Sequence, residues 1–367
     1  MLPTAKLLNC FVIRTEMKHV LVEMEKLKNP NSGLGQFCLN IGEQFHRIEP
    51  GNLKLDFYLP SFQKNVFGEQ FNYVKQTALH KLLPLNSREY DVWHCLQQDS
   101  HHLPNHKNTK LILTIHDLNF LEKYKGAKQK RKLNSLQKRV NKASAITVIS
   151  RFTEIIVREN LQLNNTPVYV IYNGNSLKTI EDAPAPDFMI QNFVKDFIFS
   201  IGVILPKKNF HTLLPLLQHN KQLHLVIAGD NNSDYAKEII KTAEKTGVDK
   251  QIHLPGTIDD ATKYWLYKNC KAFVFPSLTE GFGLPVVEAM SLGKPVFLSN
   301  LTSLPEIGGT EAYYWNDFSP EHMLEVFEKG LINFAGDLEK AERSINWAKQ
   351  FSWENAAKAY LDLYEKV

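Results

Sequence analysis

The sequence predicts an α/β protein made of two doubly wound parallel sheets. Three observations carry this. Short β-branched or aromatic runs alternate with helical stretches along the chain, which implies parallel strands joined by right-handed crossovers. The alternation breaks once, at 181–187 (EDAPAPD), an acidic stretch with two prolines and no apolar periodicity, as an exposed linker has. The length of 367 residues exceeds what one core usually organises, and 43% hydrophobic with 22% charged residues is globular rather than disordered.

In chain order, strands are expected at 19–23, 53–59, 91–95, 110–115, 145–149 and 168–172, then at 197–202, 223–228, 251–254, 272–275, 295–299 and 312–315. This gives a first domain over 1–180, a second over 181–346, and a terminal amphipathic helix over 347–367 with Ser352 as its N-cap. Residues 1–16 precede a second methionine, Met17, and read as a leader from an upstream start site. Cys10, Cys38, Cys95 and Cys270 are scattered without a C-x-x-C, so neither a disulfide framework nor a zinc site is indicated, and the cytoplasm is the expected location. No apolar run approaches the roughly 20 residues that span a bilayer.

The most informative stretch is 275–290, FPSLTEGFGLPVVEAM. An apolar strand ends there and a helix starts behind Pro285, so the loop between them lies at the carboxyl end of a parallel strand, where open α/β sheets bind ligands. A helix N-terminus offers free N–H groups and partial positive charge to a phosphate. Gly281 and Gly283 would let the backbone approach a ligand, and the carboxylates of Glu280 and Glu288 suit one rich in hydroxyls. The arrangement reads as a site for a sugar nucleotide; a surface helix-capping pair would not require the glycines and Pro285 as well.

This segment resembles the retaining glycosyltransferases of family 4, whose pattern E-G-F-G-L-P-x-x-E-A-M falls on Glu280 and Glu288 without insertion. The resemblance continues through Gly293-Lys294-Pro295-Val296 and Thr302-Ser303-Leu304-Pro305-Glu306, and covers the chain from about Met17, weakening between 60 and 91. It implies the GT-B fold, two Rossmann-like domains facing a cleft, with the last helix crossing back onto the first. It also implies sugar transfer from a nucleoside diphosphate donor to a hydroxyl acceptor, with no metal or other cofactor. Carried over residue by residue, Glu280 would meet the donor sugar, helped by the backbone of Gly281, Phe282 and Gly283, while Glu288 would hold the ribose. Lys208 and the Leu284 N–H would stabilise charge on the diphosphate. Gly202, Lys207 and Ile258 complete the expected donor contacts. One departure is Val203, where many members carry arginine after the strand glycine; the second phosphate cation then comes from elsewhere, with Lys207 the candidate, or is absent.

In the first half, Asn31-Ser32-Gly33-Leu34-Gly35-Gln36 is a glycine loop that a structural turn explains equally well, though the family's equivalent lies against the donor phosphates. In the family the H-D-L motif puts its histidine near the transferred sugar, which the resemblance would assign here to His116; a core histidine bonded to backbone is the alternative. His94, His101, His102 and His106 have no metal spacing and read as loop residues. Ser150-Arg151 and Asn173-Gly174 match the family's S-x-x-S/T and N-G signatures, the latter also explained by a turn.

Between 122 and 142 stand nine Lys or Arg against one acid. Such a block could dock anionic lipid headgroups or a lipid-diphosphate acceptor, at the inner face of the membrane, or be a solvated helix face. Nucleic acid fits worst, since no aromatics alternate with the charges and the net charge is only +4. The expectation is therefore a retaining glycosyltransferase, with GDP-mannose as the donor leaned towards. A glycoside hydrolase is rejected because it has no use for phosphate-binding elements. A non-hydrolysing sugar-nucleotide epimerase and a non-catalytic sugar-nucleotide binding protein stay open.

Overall fold

The computed structural model describes residues 17–30, 32–63, 65–81, 85–191 and 195–367. The expected leader over 1–16 and Asn31 of the glycine loop lie outside them.

Two parallel sheets are present. The first holds β1 (Lys18–Glu23), β2 (Leu53–Pro60), β3 (Asn72–Gln76), β4 (Val92–Cys95), β5 (Lys110–Ile115), β6 (Ala145–Val148) and β7 (Val168–Val170), in the order β3-β2-β1-β4-β5-β6-β7. The second holds β8 (Phe197–Ile201), β9 (His224–Ala228), β10 (Ile252–Gly256), β11 (Ala272–Phe275), β12 (Val296–Ser299) and β13 (Tyr313–Trp315), in the order β10-β9-β8-β11-β12-β13. Every expected strand has its counterpart, displaced by a residue or two at its ends. The addition is β3 at the sheet's edge, whose sequence NYVKQ is polar at Asn72, Lys75 and Gln76; Asn72 and Lys75 are exposed, Tyr73 and Val74 half-buried and Gln76 buried. An edge strand is solvated, so it lacks the continuous apolar run by which buried parallel strands are found.

Each sheet is covered on both faces, as parallel sheets require. Helix Gly33–Arg47 packs one face of the first sheet through Phe37, Ile41 and Phe45, and helices Gly126–Val140 and Arg151–Asn160 cover the other through Leu136, Val140 and Val157. In the second sheet, helix Leu284–Ser291 buries Val286, Val287 and Met290 on one face, while Tyr235 and Ile239 of helix Asp234–Thr246 line the other.

The terminal helix begins at Trp353 rather than at 347, because Trp347 closes a separate helix, Lys340–Ala348. Ser352 caps it, its side chain accepting from the Asn355 N–H. Its apolar face, Tyr360, Leu363 and Tyr364, lies in the first domain's core beside Phe37 and Phe45. A buried polar chain pins it there: the Tyr364 hydroxyl meets His94 Nδ1 at 2.6 Å, His94 Nε2 meets Thr114 Oγ1 at 2.8 Å, and Thr114 meets Thr147 at 2.7 Å. His94 is thus a core residue of β4, not the loop residue expected; burial pushes its imidazole down to about 3, so it stays neutral.

The start of this helix also explains Asn173-Gly174. A Cβ on Gly174 would stand 2.0 Å from the Trp353 backbone nitrogen, so the glycine admits the helix rather than forming a turn. Gly174→Ala should therefore destabilise the protein by about 1–3 kcal/mol, the scale of overpacking, read from the denaturant midpoint. A midpoint equal to that of wild type would show that the helix can shift away at no cost.

Candidate functional site

Strand order reverses at two places, between β1 and β4 and between β8 and β11. Loops at the carboxyl ends of strands diverge at such switch points and leave a crevice. The loops after β8 and β11 bring the expected second-domain residues together there.

After β8 the chain passes Gly202 into a short turn, Pro206–Lys208, ended by Asn209 in the left-handed region (φ 58°), which asparagine tolerates better than most residues. Lys208 Nζ then lies 4.6 Å above the ring of Phe275, the last residue of β11, and 2.6 Å from Glu280 Oε1. Gly202 lies directly beside this lysine, since a Cβ there would sit 3.2 Å from Lys208 Cε. Ser277 Oγ donates to the same Glu280 oxygen at 2.6 Å, and the Glu280 N–H donates to Thr302 Oγ1 at 3.1 Å. Thr302 adopts φ 56°, a strained conformation for a β-branched residue, and presents its hydroxyl to Glu280 from it. The two side chains of the ion pair are only 11% and 14% exposed. Lys207 contributes its carbonyl, which accepts from the Leu278 N–H at 2.8 Å; its side chain forms no ion pair among the described residues.

Glu288 lies in the second turn of helix Leu284–Ser291 and is buried. The Tyr267 hydroxyl donates to its Oε2 at 2.8 Å and Lys263 Nζ reaches Oε1 at 3.2 Å. Burial and the Glu288 charge push the Tyr267 phenol far up, so it remains a donor. Both partners come from helix Asp260–Asn269, whose cap Asp259 follows Ile258, half-buried against the second core. Phe282 turns its ring away from the crevice, toward Tyr172 and Phe351, leaving only its backbone for a ligand. Gly283 occupies the N-cap position with φ 112°, and Leu284, the first helical residue, packs against the cores of both domains.

In the first domain, Gly33 opens helix Gly33–Arg47 with open space around it, whereas a Cβ on Gly35 would stand 2.1 Å from the Asn29 carbonyl oxygen. Gly33 is thus the glycine that a ligand can approach, and Gly35 is a packing requirement. His116 follows β5 and is buried edge-on against Phe37. Burial lowers its pKa, and its Nε2 donates to the Leu96 carbonyl at 2.8 Å, which leaves any contact with a sugar to Nδ1. The His116 carbonyl faces Gly281, where a Cβ would stand 2.5 Å from it. The glycine expected to admit a ligand is therefore needed first for the approach of one domain to the other. A cavity of about 170 Å³ lies alongside, lined by Asp117, Asn119 and Thr153 of the first domain and Thr279, Glu280 and Gly281 of the second.

The sequence reading missed Ser277, Thr302, Tyr267 and Lys263, because they meet the glutamates only through folding. It also missed Glu23, which ends β1 fully buried, with Oε1 accepting from the Glu25 N–H at 2.7 Å. Among the described residues no group of three or more His, Cys, Asp or Glu is placed to hold a metal ion, and Cys38, Cys95 and Cys270 are free.

Burial pushes the Glu23 carboxyl from its ordinary 4.5 to about 7. The folded state thus disfavours ionisation: the penalty is absent below about pH 4.5, grows as pH rises, and is complete above about pH 7. Glu23→Gln should be more stable than wild type at pH 8 and equal to it at pH 4 by thermal unfolding. A gain of the same size at both pH values would place its origin elsewhere.

Comparison with known proteins agrees with this geometry. The sequence profile described as "Glycosyl transferases group 1" matches residues 191–351, and that of "Glycosyltransferase Family 4" matches 58–178. The serotype-specific mannosyltransferase WbdA of Escherichia coli is 30% identical over 279 residues, 70% of this chain and 34% of that protein. The chain thus spans about a third of the length of the WbdA relatives it matches. The O-antigen chain mannosyltransferase B of Escherichia coli is 25% identical over 386 residues, 94% of this chain and 99% of that one. Among solved structures, Anabaena HepE in complex with UDP and glucose superposes with a TM-score of 0.75 at 17% identity, covering 95% of this chain and 100% of that one. Sucrose-phosphate synthase from Thermosynechococcus elongatus gives 0.73 at 16%, over 95% and 98%. These structural likenesses establish the fold.

Proposed function

Because the chain belongs to the group 1 glycosyltransferases of family 4, we propose that it transfers a sugar from a nucleoside diphosphate donor to a glycan hydroxyl, with retention and without a metal cofactor. The observation that carries this is the Lys208–Glu280 pair at the second domain's switch point, beside the N-terminus of helix Leu284–Ser291. The helix N–H groups and Lys208 are placed to draw charge from a leaving diphosphate, and Glu280 to take hydrogen bonds from the sugar beside it. Glu288, fixed by Tyr267 and Lys263, holds the ribose. The cavity over Asp117 and Asn119 takes the acceptor hydroxyl.

Mannose is the proposed sugar, since the relatives are named mannosyltransferases, and GDP the proposed nucleotide. A thermal-shift screen against UDP, GDP, ADP and their sugars tests the nucleotide, since only a ligand of the folded state raises the melting point. Transfer to an added glycan tests the reaction: conversion of donor without acceptor would mean an epimerase, and binding without turnover a binding protein. Glu280→Gln should lower kcat by about 100-fold or more while nucleoside diphosphate affinity by calorimetry barely moves, and Lys208→Ala should cost about 2–4 kcal/mol of transition-state stabilisation. Loss of all nucleotide binding in Glu280→Gln would reverse the assigned roles.

The acceptor is proposed to be held at an anionic membrane, the inner face in a cytoplasmic setting. Helix Gly126–Val140 carries the central part of the basic block, Lys123, Lys128 and Lys132 surround the Tyr124 ring, and none of the nine cations has an ion-pair partner among the described residues. No helix among the described residues is long and apolar enough to cross a membrane, so this contact would be peripheral. Reversing Lys128, Lys130, Arg131 and Lys132 to Glu should abolish binding to anionic liposomes and leave donor binding intact. Wild-type binding should fade with salt, since exposed charges are screened within about 8 Å at physiological ionic strength. Wild type that stays free of such liposomes at low salt would reduce the block to a solvated face.

A further inference from the structure

The loop that carries Glu280 is held on its second-domain side by Thr302, Ser277 and Ser303, the last sharing its hydroxyl proton between the Phe282 carbonyl at 2.8 Å and the Glu280 carbonyl at 3.0 Å. The next carbonyl, that of Gly281, points across the cleft. There it accepts from Ser150 Oγ at 2.7 Å and from Thr153 Oγ1 at 3.3 Å, both on the first domain. We infer that Ser150 and Thr153 are positioning residues for Glu280, acting through the Gly281 carbonyl, so that the donor-side glutamate is set only when the first domain is docked. This rests on the glycosyl-transfer reading of the site.

The proton count allows it. Ser150 is the N-cap of helix Arg151–Asn160 and accepts from the Thr153 N–H at 3.1 Å through a lone pair, which leaves its single O–H proton for Gly281. The Thr153 hydroxyl meets Ser150 Oγ at 2.9 Å and has the Gly281 and His116 carbonyls at 3.3 and 3.4 Å, so its single proton serves one of these three oxygens at a time.

A second contact fixes the register. Glu306, on the second domain's short helix Leu304–Gly308, accepts from the Arg151 N–H at 2.8 Å with one oxygen and from the Phe152 N–H at 3.1 Å with the other. A carboxylate from one domain thereby satisfies free amides at the helix N-terminus of the other, a charge-assisted arrangement that favours a single angle of approach. With Gly281 backed onto the His116 carbonyl and no room for a Cβ, the peptide after Glu280 has little freedom to rotate.

The test separates capping from positioning. Ser150→Asp keeps an N-cap acceptor but cannot donate to a carbonyl; Ser150→Thr keeps the hydroxyl. Ser150→Asp and Ser150→Ala/Thr153→Val should lower kcat by about 10- to 100-fold, the cost of a small misplacement of a reacting group, with donor affinity nearly unchanged, and Ser150→Thr should restore most of the rate. Hydrogen exchange on the same variants, which needs no turnover, should be faster at 277–284, and Glu306→Ala should deprotect the Arg151 and Phe152 amides. Unchanged exchange at 277–284 in Ser150→Asp overturns the inference, whether or not the protein transfers sugar. Equal kcat in Ser150→Asp and wild type overturns it too. Should wild type transfer no sugar, the exchange measurement still decides the positioning role by itself.

Discussion

The site depends on one ion pair largely withdrawn from solvent. Lys208 and Glu280 come from different loops, and their contact at 2.6 Å closes the gap that the reversal of strand order opens between β8 and β11. Burying two charges is costly unless the pair is tight and its remaining hydrogen-bond capacity is used. Here Ser277 shares the Glu280 oxygen, the ring of Phe275 underlies the ammonium, and the Leu278 N–H binds the Lys207 carbonyl. The two loops therefore behave as one unit, and a ligand entering the crevice meets a charge arrangement that is set beforehand. Such preorganisation costs little reorganisation at the moment of reaction, which is what makes it effective for catalysis.

The second carboxylate follows the same logic with a different balance. Glu288 is buried and gains a phenol and an ammonium from a neighbouring helix. Tyr267 fixes one oxygen with its hydroxyl and Lys263 reaches the other. The two glutamates thus share a motif but not an environment. One lies in the cleft against the first domain, and the other is locked inside the second.

Coupling between the domains comes from close backbone approach rather than from a large apolar interface alone. Gly281 meets the His116 carbonyl, and Gly174 meets the start of the helix that carries Trp353. Both contacts exclude a methyl group. The helix Trp353–Lys366 then fills the first core with Tyr360 and Tyr364, and the bond from Tyr364 to a neutral, buried His94 specifies the depth at which it docks.

The sequence by itself determined the alternation of strands and helices, because fully buried parallel strands must be continuously apolar and stand out from their amphipathic crossovers. It also singled out the two glutamates, their glycines and Pro285, because a strand-to-helix loop of that composition is a local signal, whereas Lys208 is reached only through the resemblance to the family. Edge strand β3 stayed invisible for the opposite reason, with Asn72 and Lys75 solvated and Gln76 buried where it bonds to Glu23. What only the tertiary structure decided is every relation between positions distant in the chain: that Lys208 pairs with Glu280, that Tyr267 and Lys263 hold Glu288, and that Gly281 serves the domain contact. Residue types report local preference, but a hydrogen bond between groups 72 or 131 positions apart exists only once two sheets fix both ends in space.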